Sequence, residues 1–207
     1  MSASLPSLNG VDIIFTSTND EKVDFWKKVT AEVGIQLKVT NVEVPEIEGD
    51  GTAVIEDKTD KVRSQLERDG ILGNTILISE DATIEGGPYK YPGSGTKKTI
   101  RAFKGKLHEL MKVMECDECE FRCSVGVIFP SGETEIITAT TQGRFVKKRS
   151  AAEGCSGKGL INTQFVPSDD PDGRTLSQMP WEDMKQYNPR GKAISMALAA
   201  IRKKFSF

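Results

Sequence analysis

Val11-Asp12-Ile13-Ile14-Phe15, closed by Thr16-Ser17-Thr18-Asn19, decides the architecture. A short run of branched apolar residues that enters a polar turn reads as a buried strand. The next residues predict a helix. Asp20 and Glu21 sit in its first turn, where carboxylates complement the positive end of the helix dipole. Val23, Trp26, Val29 and Val33 then recur near helical spacing until Gly34. Gln36 to Val44 returns as a strand, ended by Pro45.

Working outward, residues 52–69 carry Ile55, Val62 and Leu66 among many charges, which predicts a largely exposed helix on a narrow apolar stripe. Thr75-Ile76-Leu77-Ile78 is a second buried-strand signal and runs directly into Ser79-Glu80-Asp81. From Ala82 to Lys98 glycine and proline are frequent and aliphatic residues scarce, which predicts a long loop. Ile100, Phe103, Leu107, Leu110, Met111 and Met114 mark an amphipathic helix. Phe121, Cys123, Val125, Val127 and Phe129 alternate strictly; Pro130-Ser131-Gly132 turns the chain, and Glu133 to Phe145 reads as the antiparallel partner. After a glycine-rich stretch and a short apolar piece, Leu160 to Val166, comes a polar loop. A last helix then starts near Pro189 with Ile194, Leu198, Ile201 and Phe205 on one face. The order predicts an α/β fold, a mixed central sheet with flanking helices, and no repeat or linker divides residues 1–207 into more than one domain.

Twenty-eight basic residues against thirty acidic ones leave a net charge of −2, so no global field draws this chain onto nucleic acid or an anionic membrane. Any polyanion must be held by a local site. No apolar run approaches the roughly 18–20 residues of a bilayer span, and Met1 to Pro6 lacks the pattern of a signal peptide, so a cytoplasmic address is expected.

Several motifs lack a residue that their chemistry needs. Gly154-Cys155-Ser156-Gly157-Lys158-Gly159 resembles a P-loop, but Ala152 stands where the first glycine is needed and Gly159 where a magnesium-binding hydroxyl is needed. Cys116 and Cys119 have half a zinc-site spacing, yet Cys123 falls on an inward strand position. His108 has no visible partner, and the cluster Arg144, Lys147, Lys148 and Arg149 lacks the interleaved aromatics of a nucleic-acid surface. There remains a set of charges at strand ends. Glu46 follows Pro45, Glu80 and Asp81 follow Ile78, and carboxylates presented so can converge on one hard cation. Asn19 and Lys22 at a helix N-terminus add donors suited to phosphate oxygens.

At these residues the sequence resembles the noncanonical purine nucleoside triphosphate pyrophosphatases, the inosine triphosphatase family. Ile13 to Lys22 is similar to that family's strand and Thr/Ser-Gly-Asn-x-x-Lys turn, with Thr18 replacing the glycine. Pro45-Glu46-Ile47-Glu48-Gly49 is similar to its Pro-Glu-x-x-Gly. Glu80-Asp81 is similar to its acidic pair, Gly86-Gly87-Pro88 and Pro92-Gly93 to its glycine-rich loop, and Phe165-Val166-Pro167-Ser168, Thr175, Met179 and Arg190-Gly191-Lys192-Ala193 to its closing block.

The resemblance implies two lobes around a nucleotide cleft, a homodimer, and magnesium-dependent hydrolysis of triphosphates such as ITP, XTP and dITP to the monophosphate and pyrophosphate, with manganese able to substitute. It implies that Glu46, Glu80 and Asp81 hold the metal, that Asp81, with Glu80 and Lys58 beside it, serves catalysis, and that Ser17, Asn19, Lys22 and Lys97 grip the triphosphate. Asn162, Lys185 and Arg190 fall in its base pocket. That pocket departs from the family. Gly159-Leu160-Ile161-Asn162-Thr163 stands where the family has Phe-Gly-Tyr/Trp-Asp-Pro, and Asn188-Pro189-Arg190 stands for Ser-His-Arg. The aromatic stack and the carboxylate are both expected to be missing.

Overall fold

The computed structural model describes residues 10–45, 47, 49, 51–153 and 159–205. The first unit is as expected: β1 (Asp12–Thr16), α1 (Asp20–Glu32) and β2 (Leu37–Thr40), with β1 and β2 parallel. The strand expected to run on to Val44 stops at Thr40. Next come α2 (Gly51–Arg68), β3 (Thr75–Gly86), β4 (Tyr91–Gly93), α3 (Thr96–Ala102), α4 (Leu107–Val113), β5 (Cys119–Ile128) and β6 (Thr134–Phe145). The chain ends with β7 (Phe165–Pro167), α5 (Trp181–Tyr187) and α6 (Pro189–Phe205). One mixed sheet runs in the order β2-β1-β3-β5-β6-β7, with β4 paired to β3; β1 is parallel to both its neighbours and the other pairings are antiparallel.

The alternation of side chains along each strand sorts the core into two layers. Ile13, Phe15, Ile76 and Ile78 face α1, α4, α5 and α6, where Trp26, Leu110, Met184 and Ile194 close the larger layer. Ile14 and Leu77 face the other way, onto Val62 and Leu66 of α2. Strands covered on both faces need apolar residues at successive positions, which is why β1 and the start of β3 read as unbroken apolar runs. β5 contributes Phe121, Cys123, Val125 and Val127 to the larger layer and Ile128, at its end, to the other.

The structure corrects three expectations. The loop expected over Ala82–Lys98 begins as five more residues of β3, paired with β5 from Ala82↔Cys123 to Gly86↔Cys119, and includes β4 and the start of α3. Ile84 is buried there while Thr83 and Glu85 point to the opposite face, so half the signal is polar. The single helix expected over Ile100–Met114 is two, α3 and α4, broken where Lys104 and Gly105 take left-handed backbone angles of 49° and 76°. Apolar spacing carries across such a break without reporting it. The polar loop before α6 contains a 3-10 turn, Leu176–Gln178, and α5. Cys116, Cys119 and Cys123 are free thiols, Cys155 lies outside the described residues, and burial pushes Cys119 up to about 12. Among the described residues no helix is long and apolar enough to cross a membrane.

α2 is seated on the sheet by a close approach at Gly126 of β5. A Cβ there would overlap Thr59 Oγ1, an oxygen that also lies 2.5 Å from Ser79 Oγ and 2.5 Å from the Ile55 carbonyl. Gly126→Ala must push α2 outward and is expected to destabilise by about 1–3 kcal/mol. Urea unfolding should then show a lower midpoint with an unchanged m-value.

Candidate active site

β1 ends at Thr16, paired with Ser79, and β3 continues past it paired only on its other side, with β5. The sheet is therefore split from Glu80 onward, and a cleft of about 790 Å³ opens at the split, within the range of small-molecule sites. Its walls hold Ser17, Asn19, Lys22, Lys58, Asp81, Lys97, Asn162 and Arg190. Eight of the residues expected in a site from scattered parts of the chain thus come together.

The turn after β1 is built by its own side chains. Asn19 Oδ1 accepts from the backbone N–H groups of Glu21 (2.9 Å) and Lys22 (3.3 Å) and caps α1, while the Asn19 N–H donates to Ser17 Oγ (3.1 Å). The cap fixes the first turn of α1 and aims Lys22 across the split. Lys22 Nζ and Lys58 Nζ, from α1 and α2, donate to the same acceptor, the Glu80 backbone carbonyl, at 3.2 and 3.1 Å. Two ammonium groups meet on one strand oxygen that β1 leaves free.

Glu80 and Asp81 do not act as a pair. Successive strand residues face opposite sides, and because β3 continues, the two carboxylates diverge. Glu80 is 1% exposed. Its Oε1 accepts from Arg190 Nε at 2.9 Å and lies 3.5 Å from Lys22 Nζ; its Oε2 accepts from Trp26 Nε1 at 2.8 Å. The expectation that Glu80 ligates a metal is corrected accordingly, since both oxygens are engaged away from the cleft. Asp81 faces the cleft, and its carboxylate makes no hydrogen bond or ion pair with the described residues. Among the described residues no group of three acidic, histidine or cysteine side chains is gathered for a metal; Glu46, the remaining expected ligand, lies outside them.

Lys185 is a second correction. It does not line the cleft but pairs with Glu32 (2.5 Å) and Glu182 (2.8 Å) beside Trp181. Its place on α5, an element without a clear sequence signal, turns it to the outside. Two further cleft residues are not evident from the sequence. Arg101 lies one helix turn beyond Lys97, and Glu21 has the ordinary look of a carboxylate suited to a helix start. Leu160 and Ile161, with Phe121 and Ile100, form one apolar part of the wall, and Val42 and Val44 add another.

A model of the Ham1 family matches residues 13–200. The chain belongs to the Ham1 family. A dITP/XTP pyrophosphatase of Geobacillus kaustophilus (strain HTA426) is 24% identical over 192 residues, covering 89% of this chain and 91% of that protein. The fold is that of solved Ham1 proteins: one from Staphylococcus aureus (TM-score 0.66, 20% identity) and one from Coxiella burnetii (0.69, 16%), each with 93% of this chain and 99% of the other covered. A nucleoside-triphosphatase / dITP/XTP pyrophosphatase from Mycobacterium abscessus ATCC 19977 / DSM 44196 aligns at 0.54 and 17%, over 93% and 96%. Membership in the Ham1 family supports a nucleotide pyrophosphatase.

Burial alone would raise the Glu80 carboxyl, but the charges of Arg190 and Lys22 and the bonds from Arg190 and Trp26 outweigh it and bring it down to about 2. Between that value and the ordinary one near 4.5 the unfolded chain binds a proton that the folded chain does not, so this contribution is complete above about pH 4.5 and lost as pH falls toward 2. Its size is on the order of 3 kcal/mol. Glu80→Gln leaves Arg190 buried without its counter-charge and is expected to cost about 3–5 kcal/mol at pH 7. Its stability, measured by urea unfolding from pH 6 to pH 2, should fall less steeply than that of the parent.

Proposed function

We propose that this Ham1-family chain hydrolyses nucleoside triphosphates to the monophosphate and pyrophosphate. The observation that carries the reading is the single cleft shared by Asn19, Lys22, Lys58, Lys97 and the Asp81 carboxylate, which has no partner among the described residues. Cations arranged at a helix start suit a triphosphate, and a carboxylate left open among them suits a hard cation or a water.

Water attacks the α-phosphorus, the bond from that phosphorus to the bridging oxygen breaks, and the electron pair leaves with pyrophosphate. Asp81 orients the attacking water and takes its proton. Lys22, Lys58 and Lys97 neutralise charge that grows on the departing group, the kind of fixed electrostatic stabilisation that dominates such transfers. Lys22 and Lys58 already share an acceptor, the Glu80 carbonyl, so they are held close together before substrate arrives. Magnesium, or manganese in its place, fits the oxygen donors Asp81 and Glu46 and would neutralise phosphate charge and polarise the water. Glu80 in this reading positions Lys22 and Arg190 and does not touch the metal.

The substrates named for the relatives, dITP and XTP, are the first reading of the base. A second reading, the same chemistry on a different base, is favoured by the wall formed by Leu160, Ile161 and Asn162. A homodimer belongs to the same proposal and would give a sedimentation mass of twice the chain.

Asp81→Asn is expected to reduce pyrophosphate release from a panel of triphosphates by at least about 10³-fold while leaving the far-ultraviolet circular dichroism and the unfolding midpoint near those of the parent. Chelation of divalent metal should abolish turnover in the parent, and added magnesium or manganese should restore it. Near-normal turnover of Asp81→Asn would refute the assignment.

A further inference from the structure

Arg101 stands exposed in the cleft wall, and its guanidinium makes no hydrogen bond or ion pair with the described residues. A guanidinium only donates, so its partner must be an acceptor. The polar side chains nearer the apolar wall of Leu160 and Ile161 are already engaged. Asn162, 2% exposed, accepts from Asn188 Nδ2 at 3.2 Å and donates to Glu21 Oε1 at 2.7 Å, and the buried Arg190 gives its Nε to Glu80.

The place of Arg101 follows from how α3 is fastened at both ends. At its start the Thr96 hydroxyl accepts from the Ile84 N–H of β3 at 2.9 Å and donates to the Gly93 carbonyl at 2.6 Å. Lys97 follows directly, beside the strand that carries Asp81. Just past its other end Gly105 packs against Leu160: a Cβ there would come within 3.2 Å of both Leu160 methyl carbons. Gln164 closes this junction, donating through Nε2 to the Gly105 carbonyl at 2.7 Å and accepting from the Leu107 N–H at 3.0 Å. α3 thus runs from the cationic side of the cleft to its apolar wall. Lys97, Ile100 and Arg101 share the cleft face of this helix, and Arg101 lies one turn, about 6 Å, farther toward Leu160 than Lys97.

We infer that Arg101 reads the base of the nucleotide, donating to an oxo group of a deaminated purine. The inference rests on the pyrophosphohydrolase reading of the cleft, with Lys97 on the phosphates. Leu160, Ile161, Ile100 and Phe121 offer a flat ring an apolar bed, and Arg101 stands at its edge with forked donors. The fork matches an oxo oxygen, alone or together with a neighbouring ring nitrogen. An amine in the same place is itself a donor and leaves the guanidinium without an acceptor. The preference that results, oxo over amine, agrees with the first reading of the base. It comes from α3, apart from the two stretches in which this chain departs from the family's pocket.

The experiment compares kcat/KM of the full chain with XTP against GTP and with ITP against ATP, for the parent, Arg101→Ala and Arg101→Lys, and measures inhibition of each by inorganic triphosphate. The parent is expected to favour the oxo member of at least one pair, and the pair that responds tells which ring position Arg101 meets. Arg101→Ala should reduce that ratio by about tenfold or more, with inhibition by inorganic triphosphate and the unfolding midpoint near those of the parent. Arg101→Lys, which keeps the charge and loses the fork, should restore only part of the ratio. Unchanged ratios in Arg101→Ala overturn the inference, as does a parent that favours the oxo member of neither pair. An equal loss on every substrate, with weaker inhibition by inorganic triphosphate, overturns it by assigning Arg101 to the phosphates. If the parent hydrolyses none of the four, the pyrophosphohydrolase reading fails by itself. Calorimetric binding of XMP against GMP and of IMP against AMP, to the parent and Arg101→Ala, then decides the role of Arg101 by the same ratios.

Discussion

A single buried carboxylate holds the cleft in shape. Glu80 receives Trp26 from α1 and Arg190 from α6 on its side chain, and Lys22 and Lys58 on its backbone carbonyl. Four groups from three helices are thereby tied to one residue of β3. The charges make the arrangement stable only as a set. Glu80 without Arg190 would be an isolated anion in a dry interior, and Arg190 without Glu80 an isolated cation at the positive end of a helix. Burial lowers the ease of ionising Arg190, yet the nearby Glu80 charge raises its affinity for a proton well above the ordinary.

The same residue explains how a chain with a net charge of −2 can present a cationic cleft. The acid that balances Lys22 and Arg190 is placed behind the wall, where it steadies the cations without facing a ligand. Outside the cleft, Glu32 and Glu182 occupy Lys185. Where each charge points, more than how many there are, sets the field in the cleft.

Much of this is legible in the sequence. The strand and helix of residues 11–33 follow from an apolar run, a polar turn and two acids, each a local rule. The inward face of β5 follows from strict alternation. The illegible parts depend on partners distant along the chain. The second half of β3 is a strand because β5 lies beside it; its own residues, with glycine and alternate polar positions, carry too weak a signal. Glu80 and Asp81 suffer by the same weakness, since a strand that seems to end at them would present both together, and a strand that runs on parts them. Lys185 is expected in the pocket only through the family resemblance, and α5, hidden among polar residues, carries it to Glu32 and Glu182 instead. Glu21 gives no sign of its place in the cleft wall because a helix start is sufficient reason for an acid there; only the fold brings Asn162, 141 positions later, to its oxygen.

The period of two in β3 also limits how this protein can vary. Glu80 and Asp81 differ by one side-chain carbon, and either could be exchanged for the other without great violence to the strand. Their separate duties are written in parity. Insert one residue between Ser79, which pairs with Thr16, and Glu80, and the anchor would swing into the cleft while the cleft acid went under the helices. A substitution along this segment changes one contact, whereas a change of length by an odd number rewires the centre in one step.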